Sequence, residues 1–434
     1  MKRVLLIAFY FPPRNNVACY RAGCFTKFLP RYGWLPTVVC QDWPADRPDS
    51  DPEFVGTFPD SVEIHRVPAP PERGLYERVV LRKLAPYLWP HRAPILWWRQ
   101  ARARIESLLR TSKFDAIWAT SDPLTPLSLA LEASRAARIP WVADIRDCLN
   151  VQSFGSWYKR PLFRRQERRL CRRADCVITV SDGLAEALHR ITRQPVSVIP
   201  NGFDASLLPE MPAPARLFTL VYAGTLVPGP QDPRPVFRAI ERCINGGQIP
   251  KNEIELIFLG SNPELVRRAL AEVSDQLPVR VLPRMAHRAA LAFQMRASVL
   301  LLLAHEFERG IMTGKIFDYL AAGRPILAVP DDRHTTSKLL KATGAGVALT
   351  DIESIASRLS EWYRLWRSNP RFNLRRNETE IGRYSRSVQA ADLARILDGL
   401  APASAGVSPA SFDSRHCTTR RRDAGAPRAG SWRE

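Results

Sequence analysis

Over the first 200 residues, short apolar runs alternate with longer stretches of helical period. The runs fall at residues 4–8, 37–40, 116–119, 141–143, 177–180 and 196–199. Each is rich in branched or aromatic residues and almost free of polar ones, the pattern of strands buried on both faces of a parallel sheet. Residues 19–31, 95–110, 126–138, 161–173 and 182–191 repeat apolar positions every three to four residues and predict the intervening helices. The order strand, helix, strand predicts an α/β doubly wound sheet.

The same grammar returns in the second half. Runs at 219–222, 255–259, 279–282, 299–303, 326–329 and 346–348 read as strands of a second doubly wound lobe. Between the two sets lie Asn201-Gly202-Phe203-Asp204 and the proline-rich stretch 208–214, where a linker is expected. Residues 1–200 and 201–400 therefore read as two Rossmann-like lobes, and 434 residues suit two such units. Residues 401–434 lose the periodicity for Ala, Ser, Pro, Gly and Arg and read as a disordered basic tail. Strands of two open sheets end at a shared cleft, where such sheets bind ligands, but that plan alone does not choose a reaction.

Composition narrows the partners. The chain is 45% hydrophobic and 24% charged, as expected of a protein with large cores, and its formal charge is +20. Such an excess points to an anionic partner: nucleic acid, anionic lipid or a phosphorylated small molecule. The eight cysteines form no CxxC pair and no zinc spacing with histidine, so neither a metal site nor a disulfide framework is expected. The apolar start is short and runs into Phe11-Pro12-Pro13, which reads as a buried first strand rather than a leader, and no apolar run approaches the ~20 residues of a membrane span.

The most informative stretch runs from Gly310-Ile311-Met312-Thr313-Gly314-Lys315 through Ile316-Phe317-Asp318-Tyr319-Leu320-Ala321-Ala322 to Gly323-Arg324-Pro325. A loop with two glycines opens a helix, Gly323 suits a left-handed cap, and Pro325 prevents continuation before the next strand. The helix start offers free amides and a positive dipole end to a diphosphate. Asp318, one turn in, is placed to accept hydrogen bonds from sugar hydroxyls. By spacing alone, the glycine could be only a turn and the carboxylate only solvated.

This stretch resembles the signature of glycosyltransferase family 4. Phe9-Tyr10-Phe11-Pro12-Pro13, Tyr20-Arg21, Lys27-Phe28-Leu29, Gly33-Trp34, Ala143-Asp144-Ile145-Arg146-Asp147, residues 174–181, residues 198–204 and Tyr222-Ala223-Gly224-Thr225 follow in the family's order across residues 3–350. The resemblance implies the two-lobed GT-B fold and a retaining transfer from a nucleotide sugar, UDP- or GDP-linked, without a bound metal or other cofactor. It gives Asp318 the place of the acid that holds the nucleotide ribose. The family's other acid falls at Gly310, with Glu308 and Glu306 close by. Gly310, Thr313 and Gly314 remain amide donors to the sugar or diphosphate. Gly224 and Thr225 close the first strand of the donor lobe. The cations of relatives read Thr225 and Gln231 here, so Lys315, Arg234 or Arg284 substitutes at the diphosphate, Lys315 being favoured as the group that neutralises the leaving phosphate.

On the acceptor side Asn15 and Asn16 stand where relatives have glycine, and asparagine tolerates a left-handed turn. Arg21 follows on the first helix and either points into the cleft or is solvated. Arg146 takes the place of a family histidine but cannot act as a base, so Asp144 or Asp147 becomes the candidate for the acceptor hydroxyl. A loop cap or an ion pair is the alternative for both aspartates.

Residues 66–110 mix ten arginines and lysines, among them Arg82, Lys83, Arg92 and Arg99, with Tyr76, Tyr87, Trp89, Trp97 and Trp98. A second basic cluster spans residues 159–173. Such mixtures favour anionic headgroups, so a lipid-linked or glycan acceptor and a cytoplasmic location at the inner membrane face are expected, although a solvated helix face has the same composition. Two rivals stay open: a nucleotide-sugar epimerase on a similar fold, and a non-catalytic membrane or nucleic-acid binder. No specific nucleic-acid recognition is expected.

Overall fold

The computed structural model describes residues 1–47, 49–69, 95–121, 123–147, 160–229, 231–274, 276–304 and 314–401. The first sheet is built of β1 (Lys2–Ala8), β2 (Trp34–Gln41), β3 (Glu63–Val67), β4 (Ala116–Thr120), β5 (Trp141–Ile145), β6 (Cys176–Thr179) and β7 (Val196–Val198), in the spatial order β3-β2-β1-β4-β5-β6-β7. The second contains β8 (Phe218–Ala223), β9 (Ile254–Leu259), β10 (Val279–Leu282), β11 (Val299–Leu303), β12 (Ile326–Val329) and β13 (Gly346–Ala348), ordered β10-β9-β8-β11-β12-β13. All pairings are parallel. The strand order reverses between β1 and β4 in one sheet and between β8 and β11 in the other, and these reversals open the crevices at the strands' carboxyl ends.

The expected α/β plan of two Rossmann-like sheets holds. Strand β3 was not expected. Its Glu-Ile-His-Arg-Val sequence lies at the sheet edge, half exposed, and so lacks the continuous apolar run that marks its neighbours. The helix expected over 19–31 is α1 (Val17–Phe28), followed by a 3-10 turn over Leu29–Tyr32. Pro30 has no N–H for a further α-helical bond, and Gly33 at φ 82° turns the chain into β2.

Further helices are α2 (Pro52–Val55), α3 (Ile95–Thr111), α4 (Thr125–Ala137), α5 (Arg160–Cys171), α6 (Asp182–His189), α7 (Arg234–Asn245), α8 (Pro263–Ala271), α9 (His287–Arg296), α10 (Lys315–Ala322), α11 (Thr335–Thr343), α12 (Ile352–Ser368), α13 (Glu378–Gly382) and α14 (Arg386–Leu400). Apolar layers cover both faces of each sheet. On α3 the buried stripe is Trp97, Ala101, Ile105 and Leu108, at helical spacing. Trp97 packs edge-on to Phe9, with ring centroids 4.9 Å apart, so this tryptophan is core and not the interfacial anchor expected of it.

After the second sheet the chain returns to the first. Ala390, Leu393, Ala394 and Leu397 of α14 join the layer formed by Val4, Leu6, Phe25 and Trp34. Asp398 binds Lys2 Nζ at 2.7 Å and Trp34 Nε1 at 3.1 Å. The outgoing and returning crossings lie side by side: Phe203 N donates to Tyr384 O at 3.0 Å and Arg386 N to Phe203 O at 2.8 Å. A Cβ at Gly202 would sit 2.1 Å from Tyr384 O, so close backbone approach demands glycine there.

Candidate functional site

Helix α10 begins after Gly314 and ends at Gly323, whose φ of 73° is the left-handed cap expected there. Ile316, Phe317, Tyr319 and Leu320 bury against the second sheet. Their spacing leaves Lys315 and Asp318, three residues apart, together on the half-buried side. Gly310, Thr313 and Glu308 lie outside the described residues.

The Lys315 amine donates to Tyr222 Oη at 2.6 Å and lies 4.1 Å from the centre of its ring. The phenol is itself fixed, facing Thr225 O and Gln231 Oε1, both at 3.0 Å, while Gln231 Nε2 donates to Leu303 O at 3.1 Å. Gln231 is thus a buried scaffold for the loop after β8. Gly224, at φ 118°, lets Lys315 approach: an added Cβ would lie 3.2 Å from Nζ. Among the described residues no carboxylate comes within ion-pair distance of Lys315, and burial pushes its amine down to about 7. A cation held beside a strand end without a counter-charge is a receptor for an anion.

Asp318 Oδ2 lies 3.1 Å from Nε2 of His287, the first residue of α9. Burial disfavours the imidazolium, but the carboxylates of Asp318, Asp51 and Asp204 outweigh it and hold His287 above its ordinary value. The His287 ring rests on Tyr20 of α1, with centroids 4.6 Å apart, and Tyr20 Oη reaches Asp51 Oδ2 at 3.1 Å. Arg284 Nη2 donates to Asn15 O at 2.6 Å, a second contact between the lobes. Sequence reasoning missed His287 and Tyr222 as site residues.

One proposed donor-side group stands apart from this cluster. Arg234 is engaged by Asp232 at 2.9 Å and Glu272 at 2.5 Å, so a diphosphate would have to displace two carboxylates. Thr225 is exposed, and its carbonyl faces Tyr222.

On the acceptor side Asn16 is extended, φ −149°, and caps α1 by accepting Ala18 N at 2.6 Å. Neither asparagine uses the left-handed backbone that its residue type tolerates, and the loop is shaped instead by helix capping. Arg21 and Asp144 are fully buried and bind each other through two bonds, at 2.8 and 3.1 Å. Arg21 also donates to Ile199 O and Pro200 O, tying β5 and α1 to the chain leaving the lobe. Arg146, at the end of β5, is bonded by Nε to Thr120 Oγ1 and Ser121 O. Asp147 follows it and is exposed at the cleft end of the strand. Buried Ser121 Oγ has no hydrogen-bond partner among the described residues.

Among the described residues no group of three or more His, Cys, Asp or Glu could hold a metal ion, and no helix is long and apolar enough to cross a membrane. The six described cysteines are buried thiols.

Residues 27–202 match the family model of the Glycosyl transferase 4-like domain. No curated protein matches the chain. Among solved structures, HepE of Anabaena, in complex with UDP and glucose, is 15% identical, with TM-score 0.59 over 92% of this chain and 100% of that one. Sucrose-phosphate synthase of Thermosynechococcus elongatus is 14% identical, with TM-score 0.61 over 92% and 99%. A Listeria monocytogenes protein provisionally assigned as a UDP-N-acetylglucosamine 2-epimerase is 11% identical, with TM-score 0.54 over 92% and 96%. The fold is that of GT-B proteins.

Proposed function

We propose, from the premise of a glycosyl transferase 4-like domain on a GT-B scaffold, that this enzyme transfers a sugar from a nucleotide diphosphate donor to an acceptor hydroxyl, with retention. The observation that carries this reading is the pairing, on one side of α10 at the carboxyl ends of β8 and β11, of a carboxylate with a lysine that has no carboxylate within ion-pair distance among the described residues. Lys315 and the first amides of α10 suit the diphosphate, and Asp318 suits the ribose hydroxyls. As the bond from the sugar's anomeric carbon to the diphosphate breaks, negative charge grows on the leaving oxygens. Lys315 is placed to stabilise it without a metal. Structures such as HepE, which holds UDP-glucose, support a UDP-linked donor, with a GDP-linked one as the alternative.

In the acceptor lobe the Asp144 carboxylate is spent on Arg21, so we assign the contact with the acceptor hydroxyl to Asp147 and give Arg21 and Asp144 the task of fixing the strand end and linker. Arg146 and Asn15 line the same side.

The membrane part of the reading rests on α5 and the residues after it, where Arg165, Arg168, Arg169, Arg172 and Arg173 are exposed. Five cations on one surface suit an anionic leaflet carrying a lipid-linked or glycan acceptor. Most of the basic segment 66–110 lies outside the described residues. Incubating the protein with UDP- and GDP-sugars and membrane extract, with mass spectrometry of the products, tests the whole proposal. A sugar added to an extract component, with the anomer retained, is expected. Donor converted to an epimer without transfer would favour the epimerase instead.

A further inference from the structure

We infer that His287 is the positioning residue that fixes Asp318 for the donor's ribose, and that Tyr20 of the opposite lobe holds His287 in place. The inference rests on the donor reading above. Its own basis is geometric: one oxygen of Asp318 is held by His287 Nε2 at 3.1 Å, and the imidazole has the Tyr20 ring tilted against it, with centroids 4.6 Å apart. Tyr20 is in turn tied by its hydroxyl to Asp51 at 3.1 Å and Asn15 at 3.3 Å, and Asn15 receives Arg284 of the donor lobe. A carboxylate on the half-buried side of a helix still has several rotamers, and a hydrogen bond from a wedged ring removes most of them. With Oδ2 held, Oδ1 and the free lone pair of Oδ2 point in fixed directions for two ribose hydroxyls. Because the ring that does this is clamped by the acceptor lobe, the nucleoside is gripped best when the lobes are together.

The charged groups around His287 come from every neighbouring element. Asp318 on α10, Asp51 before α2 and Asp204 in the linker are negative, Tyr20 on α1 is neutral, and Arg284 and Arg288 flank the residue on its own segment. The three carboxylates keep the imidazole charged to higher pH than an ordinary histidine, so its hold on Asp318 is strongest below neutrality and fades as the proton leaves.

The test is calorimetric titration of the full chain with UDP and, separately, with pyrophosphate, which lacks the nucleoside. His287→Phe keeps the ring against Tyr20 but deletes the bond to Asp318. It is expected to weaken UDP about 5- to 20-fold, less than the loss of a direct charge-assisted hydrogen bond because His287 acts on the ligand only through Asp318, while pyrophosphate binds as to the wild type. In the Asp318→Ala background the same change is expected to cost nothing more. The wild-type advantage over His287→Phe should shrink as the pH is raised past the ordinary histidine value and the imidazolium loses its proton, a comparison in which ligand ionisation and Lys315 are shared. Tyr20→Leu should reproduce the loss in part, and Tyr20→Phe less so. If Asp318→Ala weakens UDP but His287→Phe does not, or if His287→Phe weakens both ligands equally, the positioning role is wrong and the donor reading stands. If the wild type binds neither ligand, the donor reading fails and this inference falls with it.

Discussion

Replacing Lys315 by methionine should make the protein more stable and less able to bind its donor. The amine ordinarily titrates at 10.5 and is pushed down to about 7 by burial. At about 1.36 kcal/mol per pH unit, that difference corresponds to about 5 kcal/mol by which the site disfavours the charged form. Lys315 is half-buried, so solvent screening brings the expected contribution to about 1–3 kcal/mol. The sign follows from proton counting. Between pH 7 and 10.5 the unfolded chain holds the proton and the folded chain does not, so stability rises with pH across that window and the penalty is fully present below it. Methionine fills a similar volume and removes the penalty, giving up the bond to the Tyr222 hydroxyl, worth about 1 kcal/mol, and the cation's contact with the Tyr222 ring. Near pH 7 the variant should melt a few degrees higher, at about 2–4 °C per kcal/mol for a lobe of this size. The same variant should bind UDP about 10- to 100-fold more weakly through loss of a charge-assisted bond to phosphate. Wild-type binding at pH 8 should also take up protons, because a bound diphosphate recharges the amine. Differential scanning calorimetry, with UDP titrations in buffers of different ionisation enthalpy, reads all three effects. A lower melting temperature with unchanged UDP affinity would refute the reasoning, since the lysine would then be an ordinary structural contact.

Other outcomes follow from the same geometry. Asp318→Ala should weaken UDP about 5- to 30-fold with a melting temperature within about 2 °C of the wild type, because the carboxylate is half-buried and, among the described residues, bonded only to His287; calorimetry checks both. Arg21→Met should destabilise by about 3–5 kcal/mol, leaving Asp144 charged in a dry site, and denaturant unfolding measures it. Transfer activity should survive a chelator, and loss restored by magnesium or manganese would count against Lys315 as the neutralising group. Exchanging Arg165, Arg168, Arg169, Arg172 and Arg173 for glutamine should release the protein from anionic vesicles at about 1 kcal/mol per cation, with nucleotide affinity unchanged; undiminished co-sedimentation would withdraw the membrane reading.

The two sheets were legible because strands of a parallel sheet, covered on both sides, must be continuously apolar, as 299–303 and 326–329 are. Strand β3 escaped because an edge strand exposed on one side can carry Glu63, His65 and Arg66 without cost. Nothing in the sequence says which sheet the residues of α14 cover; only the fold places Leu393 and Leu397 on the first one. Lys315, Asp318 and the Gly323 cap were visible because capping chemistry and the family signature coincide over one short stretch. Arg21 and Asp144 are 123 residues apart, and an arginine on a helix reads as solvated until its partner is seen. His287 was invisible for a similar reason. A lone histidine opening a helix carries no motif, and only the juxtaposition of α9, α10 and α1 gives it a carboxylate on one side and a phenol on the other.

The central claim is that the cleft end of α10 binds a nucleotide diphosphate through Lys315 and Asp318. Titration of the wild type and of the Lys315→Met, Asp318→Ala double variant with UDP and GDP, in the presence of a chelator, tests it most directly. Saturable binding of one of these nucleotides by the wild type, abolished in a double variant that still melts cooperatively, is the predicted result. Equal affinity of the two proteins for that nucleotide, or no binding of either nucleotide by the wild type, would contradict the account.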